Sequence, residues 1–95
     1  GHPVLSDIDN NGYLDIVFIS TNDSLSKVHC IDYTGNDIEN FPVYIQNPIY
    51  KAPAIGDINN DGLKSIIFYD KENTVYITDY LGQTNSIAAI TFFQI

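Results

Sequence analysis

The stretch SDIDNNGYLDIVF at residues 6–18 returns as GDINNDGLKSIIF at residues 56–68. In the first copy Asp7, Asp9 and Asn11 alternate, Gly12 follows, and Asp15 precedes the apolar run Ile16-Val17-Phe18. In the second, Asp57, Asn59 and Asp61 alternate, Gly62 follows, and Ser65 precedes Ile66-Ile67-Phe68. The likeness extends upstream, where PVLSD at 3–7 faces PAIGD at 53–57. It extends downstream, where CIDYTG at 30–35 faces ITDYLG at 77–82. The spacing is 50 residues from Asp7 to Asp57 and 47 from Asp32 to Asp79. The difference of three falls where ISTNDSLSK, which contains STNDSLSK, gives way to the shorter YDKENT. A loop between strands is expected there, because loops absorb indels and strands do not. A unit of this length, repeated, points to stacked modules or propeller blades.

Each unit reads as four short strands. The first is PVLS or PAIG, the second DIVFIS or SIIFYD, the third KVHCID or TVYITD. The fourth lies near FPVYI in one unit and IAAITFF in the other. The second strand is apolar at consecutive positions, which implies cover on both faces. DYTGND and DYLGQT read as hairpin turns with glycine where positive φ is needed. No segment carries apolar residues at helical spacing over more than about ten residues. The expectation is therefore an all-β chain of two four-stranded antiparallel propeller blades, residues 1–48 and 49–95. Rings of this kind typically need four to eight blades. Two blades leave two open faces, so the chain is expected to be part of a larger propeller or of an assembly that completes one. Alone it should be poorly stable or self-associating.

Composition narrows the partners. The formal charge is −8, with four lysines and no arginine. Nucleic acid and anionic membrane surfaces both call for a basic face and are not expected. Apolar runs of about four residues fall far short of the ~20 that a membrane helix requires. An acidic chain favours cations, and the alternating loops offer a specific way to hold one. Calcium takes six to eight oxygen ligands, and a short loop supplies them from its first, third and fifth side chains and a carbonyl at the seventh place. In loop one these are Asp7, Asp9, Asn11 and the carbonyl of Tyr13, with Asp15 at the ninth place. In loop two they are Asp57, Asn59, Asp61 and the carbonyl of Leu63, with Ser65 at the ninth. An EF-hand would place a glutamate at the twelfth position and a helix behind it. Phe18 and Phe68 stand there instead, followed by strand, so that reading fails. A bland alternative exists: an Asx-rich turn that holds itself by side-chain to backbone hydrogen bonds. Loop two, with two carboxylates rather than three and Lys64 where loop one has Leu14, is the weaker candidate.

These residues resemble the D-x-D-x-[DN]-G-x-x-D loops of FG-GAP/VCBS repeats, the blades of integrin α-subunit propellers and of many bacterial secreted proteins. CIDYTGNDIENFPV resembles the downstream part of such blades. The resemblance implies a calcium-stabilised β-propeller, usually extracellular, often serving adhesion or ligand binding. Loop two departs from the pattern at Asn59 and Ser65.

Catalysis finds little support in the sequence. His2 and His29 stand alone, and no spacing suggests a nucleophile elbow or a zinc site. Cys30, the single cysteine, excludes an internal disulfide and reads as a buried thiol. The seven tyrosines could stack on sugars, but space filling between blades and at strand edges accounts for most of them. Asn22-Asp23-Ser24 is a glycosylation sequon in a hairpin loop, and DSL at 23–25 resembles a short O-glycosylation motif. Two functional classes remain open. One is a non-enzymatic, extracellular or cell-surface module that binds protein or glycan, with the remaining blades as further partners. The other is an accessory propeller of a secreted, for example polysaccharide-degrading, enzyme whose catalytic residues lie elsewhere.

Overall fold

A computed structural model describes residues 2–87. It contains two four-stranded sheets, each a simple antiparallel meander. The first runs β1 (Val4–Ser6), β2 (Asp15–Asn22), β3 (Leu25–Ile31), β4 (Val43–Ile45). The second runs β5 (Ala54–Gly56), β6 (Ser65–Tyr69), β7 (Val75–Thr78), β8 (Thr84–Ile87). β2, β6 and β7 are rich in Ile, Val, Phe and Tyr, which suit a pleated, half-buried surface. The registers repeat: Val4 faces Val17 in the first sheet as Ala54 faces Ile67 in the second. Cys30 faces Val17 as Ile77 faces Ile67.

Residues directly opposite across strands share a face, so the register sorts each sheet into two sides. On one side of the first sheet lie Val17, Val28, Cys30 and Ile45, all buried. On the opposite side of the second sheet lie Ile66, Phe68, Tyr76 and Thr78, also buried. These residues form one core cluster together with Ile8, Ile38, Phe41 and Ile49. The core is thus the seam between two stacked sheets. β2 has cover on one face only; its other side, with Ile16 and Phe18, is partly buried. The consecutive apolar run reflects a strand suited to cover on both faces, of which one neighbour is present.

Three turns share one construction. Asp32, Asp70 and Asp79 each accept a hydrogen bond at the main-chain carbonyl from the residue three places on, and donate through their own N–H to the carbonyl four places on. Each Asp Oδ1 also accepts from the N–H groups two and four places on, at 2.9–3.1 Å. The fourth residue takes positive φ: Gly35 at 91°, Asn73 at 64°, Gly82 at 80°. Glycine adopts this region without a Cβ penalty, and Asn is the next most tolerant residue.

The structure differs from the sequence reading in three places. STNDSLSK is not a loop: β2 runs on to Asn22 and β3 begins at Leu25, leaving a turn of Asp23 and Ser24 alone. The three-residue indel therefore lengthens a hairpin. The extension grips the crossing between units: Ser26 Oγ donates to the Asn47 carbonyl at 2.8 Å and accepts from Ile49 N at 2.9 Å, and Thr21 Oγ1 donates to the Ile49 carbonyl at 2.7 Å. Second, the fourth strands are not equivalent. Ile31 bridges Asp37 in the same register as Thr78 faces Thr84. The first unit then bulges through Asn40, with φ of 77°, before re-pairing at Val43. The second unit continues directly, so β8 starts at Thr84; of the expected IAAITFF strand only Ile87 falls within the described residues. Third, of the tyrosines expected between blades or at strand edges, few fill space between the sheets, while Tyr44 does lie on the edge strand β4. Tyr13, Tyr33, Tyr44, Tyr50 and Tyr69 are exposed, whereas Tyr76 is buried in the seam.

Cys30 is fully buried as expected, and burial, aided by the charges of Asp15 and Asp9, pushes its thiol up to about 12. His29 stacks on Phe18, ring centroids 4.5 Å apart, and its Nε2 shares a hydrogen bond with Ser20 Oγ. Desolvation holds its pKa below the ordinary 6.5, Asp37 opposing and Lys27 assisting. A histidine whose folded pKa is depressed binds fewer protons in the native than in the unfolded chain, so stability rises with pH. Its full contribution is present above about pH 6.5 and is lost as pH falls through that value toward the folded pKa. Urea melts at pH 7 and pH 5 should show the loss, and His29→Phe should flatten it. Asp7, Asp32 and Asp57, all with depressed pKa, lose their contributions only below about pH 4. A profile unchanged by His29→Phe would refute the assignment.

Candidate metal centre

Loop one joins β1 to β2. Its turn is set by Asp7, whose Oδ1 accepts from Asn11 N at 3.0 Å and whose Oδ2 accepts from Gly12 N at 2.8 Å. Asn11 Oδ1 accepts from Tyr13 N at 3.0 Å. Positive φ at Asn10, 59°, and Gly12, 92°, lets both amides point inward to Asp7. Loop two repeats the design. Asp57 accepts from Asp61 N and Gly62 N, Asp61 accepts from Leu63 N, and Asn60 and Gly62 take φ of 60° and 85°. The Asx-rich turn read from the sequence is therefore real in both loops. It accounts for the first and fifth side chains, and it leaves Asp9 and Asp15 of loop one to be explained.

Carboxylate oxygens of Asp7, Asp9 and Asp15 lie within 4.8 Å of one another. Asp15 begins β2, faces Ser6, and is 1% exposed. Its Oδ2 accepts from Ile8 N at 2.9 Å, while its Oδ1 is buried with no hydrogen-bond partner. Desolvation raises the Asp15 pKa; the main-chain amides of Ile8 and Asp9 oppose this, and the charges of Asp9 and Asp7 reinforce it. Asp7 is pulled the other way. Desolvation pushes it up, but the amides of Gly12 and Asn11 and a shared bond with Asp9 hold it below the ordinary range. A buried carboxylate with an unpartnered oxygen, clustered with two further carboxylates, is costly, and a hard cation is the group that would relieve it.

Sequence reasoning placed all three acids at the site. Their places in loop two are held by Asp57, Asn59 and Ser65, so only one of the three is a carboxylate there; Asp61 stands where loop one has Asn11. Missed altogether was the cleft beside loop one. It has a volume of about 350 Å³ and is lined by Asp9, Asn11, Asp32, Asp37, Glu39 and Asn40 of the first sheet and Tyr80 of the second, among others. Also missed was the pairing of Tyr13 with Tyr33, ring centroids 5.3 Å apart and both exposed. Only the pairing of loop one with the β3–β4 turn brings these together, and that has no local sequence signal.

A family model described as an FG-GAP-like repeat matches residues 7–68. The chain belongs to the FG-GAP-like repeat family. The match opens at Asp7 and ends at Phe68, so it takes in both acidic loops and the strands behind them. Membership accords with the paired four-stranded sheets, and it points to a β-propeller-type segment that associates with other blades of a larger domain. No curated protein and no solved structure matches this FG-GAP-like chain.

Proposed function

We propose that this FG-GAP-like segment is a calcium-binding, non-catalytic interaction module of a secreted or cell-surface protein. Calcium is structural: held by Asp7, Asp9, Asn11, Asp15 and the Tyr13 carbonyl, it ties the β1–β2 turn and neutralises clustered acids. The observation that carries this reading is the buried Asp15, one of whose oxygens has no partner, clustered with Asp7 and Asp9. The ligand is protein or glycan. The exposed Tyr13–Tyr33 pair offers apolar ring faces of the kind that sugars stack on, and the adjoining acidic cleft offers hydrogen-bond acceptors.

Calorimetric titration with calcium tests the proposal. Modules of this kind bind at roughly 10⁻⁴–10⁻³ M, tuned partly by ligand charge. Loop one should bind more tightly than loop two. Asp15→Ser should weaken the tighter phase, and Ser65→Asp should strengthen the other by restoring the third carboxylate. Loss of no binding on Asp15→Ser would remove the ninth place from the ligand set.

A further inference from the structure

We draw no further inference here: the strongest candidate, the acidic cleft of about 350 Å³ between loop one, the β3–β4 turn and the β7–β8 turn, shares Asp9 and Asn11 with the metal centre already described, and beyond its cluster of carboxylates nothing in the structure shows what occupies it.

Discussion

Asp15→Asn should raise the unfolding temperature of the chain in EDTA and lower it in saturating calcium. The sign change follows from the two demands on one side chain. Without an ion, the native chain buries an Asp15 carboxylate with one unpartnered oxygen, in a cluster where carboxylate oxygens of Asp7, Asp9 and Asp15 lie within 4.8 Å of one another. An unmet buried polar group costs about 1–3 kcal/mol. Asparagine keeps the acceptor for Ile8 N and turns an amide toward Asp7 and Asp9. The repulsion becomes a hydrogen bond, and most of that cost is recovered. With calcium present the order reverses. An ion that binds only the folded chain adds about 2.7 kcal/mol at a hundred times its Kd, and the variant has lost an anionic ligand. For a domain of this size each kcal/mol moves the midpoint by roughly 4–8 °C. Paired melts of both proteins in EDTA and in calcium decide it. If Asp15→Asn is destabilising by the same amount in both, the acids are not poised for a cation, and the loop is an Asx turn only.

The same residue shows how far the sequence could be read. Alternation of Asp7, Asp9 and Asn11 before Gly12 is a local pattern, and it was matched by a second copy, so the loops and the strands behind them were legible. Register was not, because only alternation fixes which side of a strand faces the core, and the second strands are apolar at consecutive positions. That Asp15 would be left with an orphan oxygen was not legible. It depends on Ile8 being drawn under the second sheet, which brings its N–H to the carboxylate, and nothing near Ile8 distinguishes it from Ile58. The bulge at Asn40–Pro42 was invisible for a related reason. Phe41 pays no local signal; it is buried because the seam accommodates it. The hairpin extension through Asn22 and Leu25 looked like a polar loop. Its Thr21 and Ser26 hydroxyls are buried partners for the crossing segment rather than solvent-facing groups.

Tyr76→Ala should remove about 3–5 kcal/mol of stability, the range for truncating a large buried aromatic side chain. Native domains of this kind hold about 5–15 kcal/mol in total, so the variant would sit near the edge of folding. Tyr76 is the one tyrosine buried in the seam, stacked on Phe68 with ring centroids 5.3 Å apart. Its hydroxyl donates to Asp70 Oδ2 at 3.0 Å and accepts from Asn47 Nδ2 at 2.9 Å. Asp70 is 2% exposed and spends its other oxygen on the amides of Glu72 and Thr74. One phenol thus joins the crossing segment, the β6–β7 turn and the sheet-to-sheet core. Tyr76→Phe separates the parts. It keeps the ring and leaves Asp70 Oδ2 and the Asn47 amide without partners, which should cost about 1–3 kcal/mol. His29 occupies the same repeat position on the open face of the first sheet, so His29→Ala should cost less than Tyr76→Ala. Urea denaturation would show these costs as falls in the midpoint at constant slope. Equal losses for His29→Ala and Tyr76→Ala would mean that the seam between the sheets is not where the chain's stability resides.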